Sequence, residues 1–172
     1  AEHELAATER MREIGLNAPE PVEAFEVDGL GVVVLEYLPT FRTLDELDTE
    51  SEADLAPGLF AALSTMHEHD LLHGDLRAEN VLICEGEIYF IDATSVTDGK
   101  ASDAKSYDVA CALGALEPLI GGKRTVDAAL SAFSPEELLA AARFLDFVNI
   151  RPDHDFDAAI LHGEIEKRAS SP

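Results

Sequence analysis

The spacing of apolar positions changes several times along this chain, and each change marks an element. Residues 2–14, rich in Glu, Ala, Met and Arg with only a weak apolar stripe, predict a helix by propensity, ended at Gly15. Asn17-Ala18-Pro19-Glu20-Pro21 reads as an extended connector, because a residue before proline is pushed out of the helical region. Segments 22–27 and 30–36 are β-prone and flank Asp28-Gly29, a strong two-residue hairpin signal. Residues 51–69 switch to helical spacing, with Leu55, Leu59, Leu63 and Met66 on one face. Two shorter β-prone runs, 81–84 and 87–91, flank Glu85-Gly86 and predict a second hairpin. An apolar helix opens at Tyr107-Asp108, carries Val109, Leu113, Leu116 and Ile120 on one face, and closes at Gly121-Gly122. Ser134-Pro135-Glu136-Glu137 is a capping box with proline at the first helical position. The helix it starts places Leu138, Ala141, Leu145 and Val148 together, until Arg151-Pro152 breaks it. Residues 155–168 form a last, more polar helix. The pattern is that of a mainly α (α+β) fold, a helical body with short β-hairpins.

Composition alters this picture in one respect. With 172 residues, 47% of them hydrophobic, the chain can bury one core. Its net charge is −23, from 35 acidic against 12 basic residues, and only four of the basic ones are Lys. Such a surface repels itself in dilute buffer and is relieved in concentrated salt, where the Debye length falls to about 3 Å at 1 M. A halophilic cytoplasmic protein is the expectation, and an acidic face for a basic partner is the alternative. Nucleic acid and anionic membranes are disfavoured as partners. The two cysteines, Cys84 and Cys111, make no disulfide framework and fit buried small hydrophobes. The longest apolar stretch, residues 30–35, has a strand's length and cannot span a bilayer.

The chemistry is concentrated in residues 73–92. His73-Gly74-Asp75-Leu76-Arg77-Ala78-Glu79-Asn80 fits H-x-D-L-x-x-x-N, and the strand 81–84 follows at once. Pairing 81–84 with 87–91 sets Asn80, just before the hairpin, almost opposite Asp92, just after it. Opposed residues in such a pair lie roughly 5 Å apart, so an amide and a carboxylate converge. Together they offer the hard oxygen donors that Mg²⁺ on nucleotide phosphates takes. Asp75 is left to accept a hydroxyl proton. His67 and His69, two positions apart, point in different directions on a helix and do not form a metal pair with His73.

This stretch resembles the protein-kinase-like superfamily, and within it the atypical branch of RIO-type, lipopolysaccharide and aminoglycoside or choline kinases, which often carry His-Gly-Asp. The resemblance implies a kinase-like C-lobe preceded by the end of an N-lobe. Residues 1–36 would be the N-lobe remnant, a helix and a hairpin, and 37–172 the C-lobe. It implies ATP and Mg²⁺ as cofactors, with Asp75 and Arg77 catalytic and Asn80 and Asp92 on the metal. The carbonyl of Glu36 and the N–H of Leu38 would meet the adenine edge, and Leu82 would lie under the ring. His73 matches the family's structural histidine and Asp108 its buried helix-start aspartate, which bonds the catalytic-loop backbone. Glu4 matches the N-lobe Glu that pairs with a strand Lys.

Departures from the pattern are equally legible. No G-x-G-x-x-G loop and no strand Lys precede Glu4. Asp92-Ala93-Thr94 stands where Asp-Phe-Gly would, and fifteen residues separate Asp92 from Asp108, too few for a long peptide-docking segment. Ala1 is expected to be a cropped start, a complete truncated kinase-like chain being the alternative, and the fragment alone is expected to be a poor enzyme. The function expected is transfer of the γ-phosphoryl group of ATP to a hydroxyl acceptor, a protein Ser/Thr. A small-molecule or sugar kinase of the same fold, or a non-catalytic binding module, stands as the alternative.

Overall fold

The computed structural model describes residues 2–93, 95, 96 and 102–171. Ala1 and Thr94, on which two expectations rest, lie outside the described residues. The first helix, α1 (Glu2–Glu13), has acidic residues in its first turn and Arg10 and Arg12 in its last, opposite in sign to the helix dipole at each end. Gly15, at φ 85°, turns the chain out of it. The hairpin of β1 (Pro21–Val27) and β2 (Leu30–Leu35) follows, turned by Asp28 and Gly29, both with positive φ.

A two-residue strand that sequence reading missed, β3 (Arg42–Thr43), leads into α2 (Thr49–Glu68), capped by Asp48 accepting from Ser51 N–H. Of the expected stripe, Leu59, Leu63 and Met66 are buried, as is Phe60 beside them. Each such side chain contributes roughly 1.5–3 kcal/mol by leaving water. The chain then runs through β4 (Leu71–Leu72) into the loop of residues 73–80 and the hairpin of β5 (Val81–Cys84) and β6 (Glu87–Phe90). β3 pairs with the outer edge of β5, and β4 pairs with β7 (Ser95–Val96), so the described residues hold three short antiparallel sheets.

Three helical boundaries differ from the sequence reading. The apolar helix α3 (Ser102–Ile120) begins five residues before Tyr107, so Asp108 lies in its second turn and not at its start. Gly121-Gly122 does not end the helical run. Gly121, at φ 85°, turns the chain, and Gly122 opens a further helix, α4 (Gly122–Ala129). The need for glycine at 122 is steric: a Cβ there would stand 2.3 Å from Ile160 Cγ2. The helix expected from Ser134 to Arg151 is two, α5 (Pro135–Ala142) and α6 (Leu145–Asn149), separated at Arg143 and Phe144. The last helix, α7 (Ala158–Ala169), starts on Asp157, which caps Ile160 N–H.

The core is one cluster drawn from α1 to α7, with Phe60, Phe90, Met11, Leu113 and Leu138 among its largest fully buried side chains. A small second cluster, Leu38, Leu82 and Cys84, lies apart from it, with Tyr89 and Ile91 against it. Among the described residues no helix is long and apolar enough to cross a membrane.

Candidate functional site

The loop of residues 73–80 is held from three directions. Asp108, 1% exposed, accepts from His73 N–H at 2.8 Å and Gly74 N–H at 3.0 Å, and its Oδ2 also meets His67 Nε2 at 3.2 Å. Lys105 Nζ closes the same corner on His67 O at 2.6 Å. From within the loop, Asn80 Nδ2 donates to Asp75 O at 2.8 Å. The His73 imidazole lies against the Phe90 ring; burial pushes its pKa down, and Asp108 and Asp75 pull it part of the way back. His69, by contrast, turns its Nδ1 to Thr65 O.

Two arginines hold the Asp75 carboxylate. Arg151 Nη2 donates to its Oδ1 at 2.6 Å, and Arg77 Nη2 to its Oδ2 at 3.1 Å. Arg151 in turn donates to Tyr107 OH at 2.8 Å and Asp153 Oδ2 at 2.9 Å. Arg77 donates to Glu79 at 2.6 Å, and its Nε stands 3.4 Å from Asp153 Oδ2, close enough for ion pairing but not aligned as a hydrogen bond. Arg77 is thus surrounded by three carboxylates, and its charge is compensated within the chain.

The expected facing of Asn80 and Asp92 needs correction. Val81 pairs with Phe90, and Ile91 N–H donates to Asn80 O at 3.1 Å, so Asn80 faces Ile91, one residue before Asp92. The strand ends at Phe90, where Asn17 O takes the Phe90 N–H and α1 comes alongside. Asp92 then takes a left-handed conformation, φ 57°, and is exposed. Its neighbour is Glu4: burial first, then the Asp92 charge and a hydrogen bond shared with Asp92, raise the Glu4 pKa.

Leu38 and Leu82 meet in the small apolar cluster beside the loop. Glu36 N–H is already taken by Glu20 O at 2.8 Å, and its side chain accepts from Glu20 N–H at 2.8 Å, pinning the end of β2. Cys84 Sγ bonds Pro39 O at 3.4 Å. Cys111 is buried behind Asp108, and burial, with that charge, pushes its thiol up to about 12. Both cysteines are buried, as small hydrophobes are.

Arg151, Asp153 and Tyr107 escaped sequence reading. Arg151-Pro152 carried only a helix-break signal, and the one hint was a basic residue in a chain with 12 of them.

A family model described as the RIO domain matches residues 1–111, more than half of the chain, and the chain belongs to that family. A curated relative from Pyrococcus abyssi, the KEOPS complex subunit Bud32, is 33% identical over 87 residues, or 48% of this chain and 38% of that protein. The matched part thus spans well under half the relative's length. Among solved structures, a double mutant of the Mycobacterium tuberculosis PknI kinase domain aligns at TM-score 0.50 and 17% identity, over 96% of this chain and 82% of that one. The Drosophila melanogaster PAN3 pseudokinase aligns at TM-score 0.47 and 15% identity, over 95% and 54%. The fold is a mainly helical, kinase-like one with short antiparallel β-sheets, as the loop motif led one to expect.

Proposed function

We propose that this chain is the C-lobe and adjoining N-lobe remnant of an ATP- and Mg²⁺-dependent phosphotransferase that moves the γ-phosphoryl group to a protein serine or threonine hydroxyl. One observation carries the reading: Asp75 is fixed by Arg151 and Arg77 on a loop anchored by buried Asp108, one hairpin away from a small apolar cluster. A carboxylate has about four acceptor sites, so Asp75 can still orient a hydroxyl and take its proton. Leu38 and Leu82 suit the flat base, with the Glu36 carbonyl and Leu38 N–H at its edge. Arg77 and Arg151 set the position of Asp75, and with Asp153 they keep the local charge balanced.

The donors fit a hard divalent cation. With Asn80 Nδ2 committed to Asp75 O, Oδ1 is the amide atom left to ligate, and Glu4 and Asp92 bring two carboxylates together. Among the described residues no group of three or more His, Cys, Asp or Glu could hold a metal, so the chain supplies part of a shell that phosphate and water complete. When bound, Mg²⁺ supplies neutralisation of phosphate charge. Kinship with a protein named as a KEOPS complex subunit supports a reading in which this chain, too, works within a complex. The acidic surface supports a salt-rich cytoplasm, the compartment that holds ATP.

The test is transfer from radiolabelled ATP to candidate protein, sugar and aminoglycoside acceptors, including the chain itself, with Asp75→Asn as control. Labelling that Asp75→Asn does not reduce would overturn the reading. A second reading, a nucleotide-binding module without transfer, is favoured by the two guanidinia already occupying both Asp75 oxygens. Binding of Mg-ATP with transfer to none of the acceptors would decide for it.

A further inference from the structure

Beside the Tyr107–Arg151 hydrogen bond, the described surface carries an aromatic notch that the loop chemistry does not use. Tyr107 meets the Phe144 ring edge-on, centroids 6.2 Å apart at 90°, and the Phe147 ring at 6.0 Å and 61°. Asp103 and Ala104, one turn earlier on α3, complete an open cavity of about 550–650 Å³, printed as 630 Å³. Phe147 is 62% exposed, a large apolar area to leave in water on a short helix. Asp103 is the charged residue of the lining. Its partner Arg143 stands 3.8 Å away with both side chains mostly exposed, a pairing that contributes little and is easily exchanged.

Ring faces carry partial negative charge, so a cation over them is attracted, and a carboxylate at the rim adds to the pull. The apolar walls suit the methylene stem of Arg or Lys, whose charged head stays at the rim. A net charge of −23 steers basic partners toward this surface and repels acidic ones. The neighbouring Arg151 does not cancel this, because Asp75 and Asp153 pair with it. An aliphatic anchor would use the rings but gain nothing from Asp103 or from the field.

We infer that the Tyr107–Phe144–Phe147 notch, rimmed by Asp103, docks an arginine or lysine side chain of a basic protein partner. Tyr107 OH is one arginine away from Asp75, so on the phosphotransfer reading the notch selects acceptors with a basic residue near the hydroxyl. That use rests on the proposed function; the cation site does not.

The experiment compares three short peptides, identical except for arginine, citrulline or norleucine at one position, titrated into the whole chain without nucleotide. Ring-proton shifts in NMR and calorimetry give the affinities. The arginine peptide is expected to bind about three- to ten-fold more tightly than either neutral one. Phe147→Ala should remove that preference and Asp103→Asn should weaken it, both with unchanged circular dichroism and Mg-ATP affinity. Equal or tighter binding of norleucine, arginine binding that survives Phe147→Ala, or no arginine binding at all would each overturn the inference. Because nucleotide is absent, these outcomes are separate from success or failure of phosphotransfer, which the ATP assay reads.

Discussion

Arg151 lies 76 residues beyond Asp75, and its Nη2 donates to Asp75 Oδ1 at 2.6 Å while its Nη1 holds Tyr107 OH at 2.8 Å. The connection between α6 and α7 therefore sets the position of a carboxylate on a loop more than half a chain upstream. Arg151→Ala should lower phosphotransfer about a hundred-fold, the cost of a displacement of about 1 Å at a reacting group, with nucleotide affinity unchanged. Arg151→Lys keeps the charge but cannot hold Asp75, Tyr107 and Asp153 together, and should recover only part of the rate. Single-turnover rates beside equilibrium ATP binding check this.

Asp92→Ala should abolish Mg²⁺-dependent nucleotide binding and leave the fold intact, since Asp92 is exposed and the core does not use it. Glu4→Gln should weaken that binding less, because it keeps an oxygen donor beside Asp92. Fluorescent-nucleotide titration with and without Mg²⁺ reads both; undiminished affinity in Asp92→Ala would remove Asp92 from the site.

Asp108→Ala strips acceptors from two backbone N–H groups, those of His73 and Gly74, and from His67. Leaving buried donors unpaired costs about 1–3 kcal/mol each, so a loss of about 2–5 kcal/mol is expected in urea unfolding. A loss under about 1 kcal/mol would mean that water or a rearranged loop replaces the carboxylate.

Burial pushes the pKa of both His73 and His154 below the ordinary histidine value. The unfolded chain then binds more protons below about pH 6.5, so their contribution is complete above that pH and is lost as pH falls through the depressed folded values. Melting temperature should therefore fall between about pH 7 and pH 5.5, before most carboxylates titrate. His154→Gln, which removes one of the two groups, should flatten the slope; an unchanged slope would exclude His154 as a contributor.

The melting temperature should rise between dilute buffer and about 2 M KCl, because salt screens repulsion within a surface of net charge −23. Equal values in the two buffers would exclude a requirement for salt.

Features fixed over a few residues were legible in the chain alone. Asp28-Gly29 and Glu85-Gly86 both turn with positive φ at each residue, because short-range sterics select Asp-Gly or Glu-Gly there. The Ser134–Glu137 capping box forms with both of its hydrogen bonds, and the stripe of α2 is buried at Leu59, Leu63 and Met66. His73 to Asn80 could be read as one loop because its residues lie within one stretch of chain.

Tertiary packing decided the rest. The strand register, which sets Asn80 against Ile91, depends on where β6 stops beside Asn17, and a one-residue slip redirects a side chain. Gly122 looked like a stop, yet its lack of a side chain lets Ile160 of α7 approach. The grip of Arg151 on Asp75, and the meeting of Glu4 with Asp92, join residues whose sequence neighbours say nothing of each other. Local propensity is written in dihedral preferences a few residues long. Which distant side chains meet is set only when the helices bury their apolar faces together.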